Sequence, residues 1–176
     1  MEDLKTLENN AVKILKIIFQ KRGYTDIRLE DNLMFGYDDE KNLVMCNLEM
    51  IKKLDKENTK FHISSANEFK TNHIILFYLT ATPSAFKVCS SSNDITVELF
   101  EVSELQIDIT EHYLQPKFEI LSKNEDKDLR VTYGFNKEIL PVILKTDPIS
   151  RFYNFPRDRI IKIIGKNNIV RYRIVR

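Results

Sequence analysis

Strand-like apolar runs alternate with helix-start signals along this chain, which indicates a mixed α/β (α+β) fold. Residues 74–79 are a short apolar run typical of a buried strand, and Thr82-Pro83 directly after it predicts a helix start. Asp147-Pro148 repeats that signal, and the isoleucine-rich run 160–164 predicts another strand. Proline suits the first helical position because its missing N–H would be unpaired there in any case.

An amphipathic helix opens the chain. Its hydrophobic residues recur at helical spacing from Leu4 to Phe19. Lys21 and Arg22 are cations of the kind that stabilise a helix C-terminus, and Gly23 can adopt the left-handed conformation that ends a helix. Residues 24–60 are polar and poorly periodic, and they yield no prediction.

The second half carries clearer patterns. Alternating polar and apolar residues predict a strand over 105–109. Ser122 and Glu125 form a capping box, which predicts a helix that runs to about Tyr133 and ends at Gly134. Residues 160–164 and 169–175 should form a hairpin.

We expect two small domains, residues 1–100 and 101–176, and their charges differ. The net charge of +1 divides into −2 for the first segment and +3 for the second. Residues 151–176 hold eight basic residues and one acid. Such an end can bind nucleic acid or an acidic protein surface, or can be a solvated strand face.

The sequence predicts an intracellular, reducing environment. No apolar run reaches the roughly 18 residues of a membrane span, so no membrane contact is expected. The acidic N-terminus does not resemble a signal peptide. Cys46 and Cys89 are therefore expected to be buried thiols rather than a disulfide.

Catalytic and cofactor motifs are scarce. With 4 glycines the chain has no phosphate-binding loop, and His62, His73 and His112 do not fall at metal-ligand spacing. We therefore expect no cofactor and no metal, and we expect His112 to be hydrogen-bonded within the fold. One enzyme-like pattern remains: Asp55 with Glu68-Phe69-Lys70 loosely fits the two acids and lysine of metal-dependent nucleases.

Six segments occur in a fixed order over nearly the whole chain: Lys21-Arg22-Gly23-Tyr24; Thr82-Pro83-Ser84-Ala85-Phe86-Lys87; Ile109-Thr110-Glu111-His112-Tyr113-Leu114-Gln115-Pro116; Leu140-Pro141-Val142-Ile143 followed by Asp147-Pro148-Ile149; Ile160-Ile161-Lys162-Ile163-Ile164; and Arg171-Tyr172-Arg173-Ile174-Val175. Each is unspecific alone. Together they resemble a family of polymerase subunits: the fifth small subunit shared by eukaryotic nuclear DNA-dependent RNA polymerases, called H in archaea.

The resemblance implies a non-catalytic subunit with two parts. Residues 1–100 would be an α/β jaw domain beside downstream duplex DNA, and residues 101–176 a compact assembly domain docked on the largest polymerase subunit. The implied DNA contact is weak and limited to the backbone, and it involves Thr82, Pro83, Ser84, Ala85 and Lys87. The implied assembly interface comprises His112, Leu114, Pro116, Leu140, Pro141, Asp147, Pro148, Tyr172 and Arg173.

Several positions depart from the family pattern. The segment between Tyr24 and Thr82 is shorter. Asn154 and Asp158 replace two glycines, and we predict positive φ at both because Asn and Asp tolerate it best. The hairpin tip is cut to residues 165–168, and Val142 replaces an arginine. A trimmed, Ile-, Lys- and Asn-rich chain is typical of a large DNA virus or of an AT-rich cellular genome. The expected location is the nucleus in the cellular case, or a cytoplasmic factory or virion in the viral one.

Two other hypotheses remain. The first is a free-standing nucleic-acid-binding protein that uses the basic residues 151–176, although that region lacks interleaved exposed aromatic residues or a recognition helix. The second is the nuclease suggested by Asp55, Glu68 and Lys70.

Overall fold

The computed structural model describes residues 3–92, 94–134 and 140–176. The chain forms two compact units, Met1–Ile107 (unit 1) and Asp108–Arg176 (unit 2). Within the described ranges, no helix combines the length and apolar character needed to cross a membrane.

Unit 1 places three helices around one six-stranded sheet. Its elements in chain order are α1 (Leu4–Lys21), β1 (Thr25–Glu30), β2 (Leu33–Tyr37), β3 (Leu43–Asn47), β4 (Ile51–Leu54), α2 (Lys56–Glu68), β5 (His73–Ala81), α3 (Pro83–Ser91), β6 (Thr96–Glu101) and a 3-10 helix, Val102–Leu105. The predicted first helix, buried strand 74–79 and helix start at Thr82-Pro83 are confirmed.

The long strand β5 organises this sheet. β1, β2 and β3 form an antiparallel meander, and β3 then pairs in parallel with the beginning of β5. β4 pairs in parallel with the end of β5, and β6 pairs in parallel with β5 over residues 73–78. Because three strands pair with it, β5 is buried at Ile74, Ile75, Leu76 and Phe77, as its continuous apolar sequence indicates.

A buried charged cluster joins the end of α1 to the sheet. Arg22, directly after α1, donates to Glu98 on β6 through both guanidinium nitrogens, at 2.7 and 2.8 Å. His73, the first residue of β5, lies with Nε2 2.6 Å from Glu98 Oε1. The Arg22 side chain is 2% exposed and the Glu98 side chain 14% exposed. We call these three residues the Arg22–Glu98–His73 cluster.

Electrostatics favours the ionised form of this cluster. Burial raises the pKa of the Glu98 carboxyl, but the Arg22 guanidinium and the hydrogen bonds from His73 and Arg22 hold that pKa well below its usual range. A carboxylate that accepts bidentate hydrogen bonds from an arginine also has a fixed position. Arg22 is therefore locked against β6, and α1 ends at a defined place on the sheet.

Small residues complete this junction. Gly23 has φ +74°, as predicted, and turns the chain so that the Tyr24 ring meets the Phe19 ring edge-on at 4.9 Å. A Cβ at Gly36 on β2 would lie 3.2 Å from the Phe19 ring and 3.3 Å from Tyr24. Arg22, Gly23 and Tyr24 therefore pack the end of α1 against the sheet. The resemblance to the polymerase subunit family did not predict this role.

The predicted strand over 105–109 is wrong. The compact units divide after Ile107, whereas the predicted domains divide after residue 100. Residues 102–105 form the 3-10 helix, in which Val102 and Leu105 are buried. The Gln106 side chain donates to the Leu7 carbonyl of α1 at 3.2 Å. These contacts hold the segment in unit 1. The strand was predicted from the alternation of apolar residues alone, which carries no information about such contacts.

Unit 2 contains a four-stranded sheet in the order β7-β9-β10-β8. Its elements are β7 (Lys117–Ile120), α4 (Lys123–Tyr133), β8 (Val142–Ile143), α5 (Pro148–Tyr153), β9 (Ile160–Ile164), a 3-10 turn (Lys166–Asn168) and β10 (Val170–Val175). β9 is antiparallel to β7 and β10, and β8 is parallel to β10. The predicted hairpin and both predicted helix starts are confirmed.

Each face of the unit 2 sheet buries a cluster of apolar residues. Ile161 and Ile163 pack in one cluster with Ile149 of α5. Ile160 and Ile174 pack in another with Leu129 of α4. Since successive strand residues point to opposite faces, the isoleucine pairs on either side of Lys162 in β9 supply both clusters.

The turn between α5 and β9 has the predicted backbone conformation. Asn154 has φ +51° and Asp158 has φ +62°. The Asn154 side-chain oxygen accepts a hydrogen bond from Lys145 Nζ, which also donates to the Phe155 carbonyl at 2.8 Å. Asp158 accepts from the Arg176 guanidinium in an exposed ion pair.

The two turn residues should respond differently to glycine. Asp158→Gly should raise the free energy of unfolding by up to about 1 kcal/mol, because relief of the left-handed conformation exceeds the loss of an exposed ion pair. Asn154→Gly should give no gain, because it also removes the acceptor of Lys145. Urea denaturation of both variants measures the difference. An Asp158→Gly variant clearly less stable than the wild type would contradict this account.

Removal of the Glu98 charge should strongly destabilise unit 1. Glu98→Gln should lower the free energy of unfolding by about 3–5 kcal/mol, because it leaves Arg22 buried without its counter-charge. Glu119→Gln, which breaks an exposed contact with Lys117, is the matched control and should change stability little. Equal melting temperatures for the two variants would refute the role given to the cluster.

The same comparison has a defined pH dependence. Glu98 has a depressed pKa in the folded protein, so its stabilisation is complete above the ordinary glutamate value of 4.5. It is then lost progressively as pH falls below that value. The stability difference between wild type and Glu98→Gln should therefore be constant near neutral pH and shrink in acid.

Candidate functional site

The start of α3 lies at the end of β5 and carries the residues predicted to approach DNA. Pro83, Ser84 and Lys87 are exposed, and Thr82 is half-buried. The Thr82 backbone N–H donates to the Leu54 carbonyl at 2.9 Å, which fixes the helix start against the end of β4. The helix therefore presents a proline, a hydroxyl and a cation to solvent.

Thr82 and Ala85 differ from the exposed members of this set. Thr82 is the N-cap by backbone conformation, but its side chain makes no capping hydrogen bond and lies 2.9 Å from the Ser84 hydroxyl. Ala85 is fully buried, and its N–H donates to the Thr82 carbonyl at 3.0 Å. Ala85 consequently cannot offer its N–H to a phosphate. The small side chain is needed because α3 packs against the rest of unit 1 there.

The nuclease arrangement is contradicted by the structure. Asp55 is the N-cap of α2 and accepts from the N–H groups of Glu57 and Asn58 at 3.0 and 2.9 Å. Glu68 is the last residue of the same helix. Thirteen residues at about 1.5 Å each separate the two carboxylates by roughly 20 Å along the helix axis. They cannot bind one Mg²⁺ ion together with Lys70.

The cysteine and histidine side chains do not form a metal site in the described residues. No group of three or more His, Cys, Asp or Glu side chains in the described part of the chain could hold a metal ion. Cys46 is buried and Cys89 half-buried, both are free thiols, and burial raises the pKa of each. His112 Nδ1 accepts from the Leu114 N–H at 3.3 Å, which confirms its predicted role within the fold.

The predicted assembly residues of unit 2 fall into two groups. His112, Leu114, Pro141, Pro148 and Arg173 are exposed, and Pro116 is half-buried. The remaining members have structural roles: Leu140 is 7% exposed in the core, Asp147 caps α5 by accepting from the Ile149 N–H, and Tyr172 packs on the core cluster. Leu140 therefore lies in the core of unit 2, and its place in the assembly interface stays a prediction.

A groove runs between the loop before β7 and the β9–β10 hairpin. Its volume is about 630 Å³, and its lining residues are Leu114, Gln115, Pro116, Ile163, Ile164, Gly165, Lys166, Asn167, Ile169 and Arg171. Leu114 is 60% exposed and Ile169 53% exposed. We call this the hairpin groove. Sequence analysis identified Leu114 and Pro116 but missed Ile169 and Lys166, because only the folded hairpin brings them to the loop.

Comparison with known proteins shows that unit 2 resembles one domain family. The model of the family "RNA polymerase Rpb5, C-terminal domain" matches residues 107–175. A DNA-directed RNA polymerase subunit 5-like protein of Arabidopsis thaliana is 38% identical over 81 residues, which cover 46% of this chain and 39% of that protein. The subunit rpabc1 of RNA polymerases I, II and III from Dictyostelium discoideum is 37% identical over 75 residues, 43% of this chain and 38% of its own length.

A viral relative aligns over the whole chain. The putative DNA-directed RNA polymerase subunit 454R of Invertebrate iridescent virus 6 is 26% identical over 182 residues, which cover 96% of this chain and 99% of that protein. The matches to the cellular relatives, in contrast, span about two fifths of their lengths.

The solved structures add no argument about function. A repair endonuclease from Pyrococcus abyssi superposes with a TM-score of 0.37 at 19% identity, over 57% of this chain and 47% of that one. Such a score is too low to relate the folds. The sequence matches carry the comparison: residues 107–175 are similar to the RNA polymerase Rpb5 C-terminal domain family, and the chain as a whole is similar to a viral protein named as a putative RNA polymerase subunit.

Proposed function

We propose that this protein is a non-catalytic subunit of a multisubunit DNA-dependent RNA polymerase. The observation that carries the proposal is the family match over residues 107–175, which coincides with the compact unit 2. Relatives that match this unit are named as RNA polymerase subunits, from cellular organisms and from a virus. The proposal therefore covers a nuclear polymerase of a cell and a polymerase of a virus-infected cell.

Unit 2 would dock on the largest polymerase subunit. Several apolar side chains of unit 2 lie outside its core and support this proposal: Leu114, Val142 and Leu144 are 60, 45 and 59% exposed. Exposed apolar groups beside exposed arginines are typical of protein interfaces. The C-terminal unit would be the anchor, and unit 1 would extend the subunit toward DNA.

The assembly proposal is tested by affinity purification of the tagged full-length chain from its source cells. The expected result is recovery of the largest polymerase subunit in fixed ratio to the tagged chain, and survival of that ratio after nuclease digestion. Recovery of nucleic acid without polymerase subunits would instead support a free-standing nucleic-acid-binding protein. That alternative has one structural argument, the exposed basic residues Arg171 and Arg173 on β10.

In the assembled polymerase, unit 1 would lie beside downstream duplex DNA with the start of α3 toward the backbone. Ser84 and Lys87 are exposed there, and the positive end of the helix dipole favours a phosphate oxygen. Residues 1–100 carry a net charge of −2, so the contact would be one or two backbone interactions without base recognition.

Reversal of charge at this helix start should weaken DNA engagement without loss of assembly. Polymerase rebuilt with Ser84→Asp and Lys87→Glu should form elongation complexes with shorter lifetimes on templates that have long downstream duplex, because both changes repel phosphate. On templates with short downstream duplex the lifetime should match the wild type. The control is Thr6→Asp with Lys13→Glu, the same charge change on exposed positions of α1. Equal lifetimes for wild type and the α3 variant on long duplex would remove the DNA role.

A further inference from the structure

The hairpin groove combines an apolar lining with cations. Leu114 and Ile169 are more than half exposed, and Pro116 and Ile164 are half-buried beside them. Lys166 and Arg171 also line the groove, and its lining contains no Asp or Glu. Such a surface can bury one or two apolar side chains of a ligand, and its cations favour a ligand that carries negative charge.

Aromatic and turn geometry hold the rim of the groove in place. Lys166 Nζ lies 5.2 Å from the centre of the Tyr113 ring, within the range of a cation–π contact. Asn167 and Asn168 have φ of +63° and +58°, and the Gly165 N–H donates to the Ile169 carbonyl at 2.9 Å. The tip is therefore a closed turn, which holds Lys166 toward the loop that carries Tyr113 and Leu114.

We infer that the hairpin groove binds a segment of a partner protein that inserts an apolar side chain between Leu114 and Ile169 and places carboxylates beside Lys166 and Arg171. This inference rests on the proposed function and specifies the partner's chemistry: the segment belongs to the polymerase subunit on which unit 2 docks. An apolar anchor with complementary charges around it is the usual anatomy of such contacts.

A protein segment fits the groove better than a nucleic acid does. Single-stranded nucleic acid needs successive aromatic stacking surfaces along a basic track. The groove offers leucine, proline and isoleucine side chains where bases would stack, and the neighbouring Tyr113 ring is already in contact with Lys166. Contact with an apolar side chain of a partner removes these aliphatic side chains from water, which lowers the free energy of the complex.

The first test uses the full-length chain and the recovered largest subunit as the probe. Leu114→Asp and the double variant Lys166→Glu with Arg171→Glu should each reduce recovery of that subunit at least tenfold. The conservative pair Lys166→Arg with Arg171→Lys should recover the subunit as the wild type does, because both changes keep the positive charge that a carboxylate partner requires. Matched controls outside the groove are Val131→Asp and Lys127→Glu with Arg157→Glu, all at exposed positions.

The outcomes separate the two proposals. If the wild-type chain recovers no polymerase subunit, the proposed function fails. If the wild type recovers it and the groove variants do so equally well, the groove inference is overturned while the function stands. Thermal melts monitored by circular dichroism identify any variant that is unfolded; for Leu114→Asp, the milder Leu114→Ser then replaces it.

The second test identifies the partner segment. A photoreactive p-benzoylphenylalanine at position 114, followed by digestion and mass spectrometry, should crosslink to a stretch of the largest subunit with an apolar residue flanked by Asp or Glu. A crosslink to a basic stretch, or to nucleic acid, would overturn the inference.

Discussion

The pairing of Arg22 with Glu98 is the constraint on which unit 1 depends. Transfer of two charges out of water costs several kcal/mol per ion, and only a close, doubly hydrogen-bonded geometry offsets that cost. The sequence provides that geometry through three separate features: a helix that ends at residue 21, a glycine that turns the chain, and a strand that carries Glu98 beside His73. A shift of any one of them would leave a buried charge unpaired. The pair therefore fixes the end of α1 against β6.

Unit 2 reaches a defined structure by different means. It has a sheet covered on both faces, and its turn between α5 and β9 uses asparagine and aspartate in a conformation that glycine adopts more easily. Lys145 compensates at Asn154, where it links the side-chain oxygen to the Phe155 carbonyl. A residue other than glycine is tolerated at Asn154 because Lys145 gains a hydrogen-bond acceptor from its side chain.

Local signals in the sequence predicted local structure well. The capping box at Ser122, the proline after Asp147 and the glycine after Arg22 each act through atoms a few residues away, so their outcomes follow from short-range geometry. Arg22 and Glu98 are 76 positions apart, and no periodicity links them. Residues 105–109 were wrongly predicted as a strand for the same reason, since the contact of Gln106 with Leu7 of α1 spans about a hundred residues of sequence. At the candidate sites, the exposed residues Ser84, Lys87 and Leu114 were anticipated, whereas the burial of Ala85 and Leu140 depends on packing that a motif does not encode.

The position of β10 within its sheet has a consequence for biosynthesis. Ile174 and Val175 lie between β9 and β8, so the last residues of unit 2 to be synthesised are central to its hydrogen-bonded ladder. Unit 1 contains its whole sheet by residue 101 and can fold while the ribosome is still translating. Unit 2 cannot close its sheet until β10 has left the ribosome, and until then β9 presents an unpaired strand edge. A nascent chain halted before residue 170 would therefore carry a folded unit 1 and an unprotected, aggregation-prone isoleucine run.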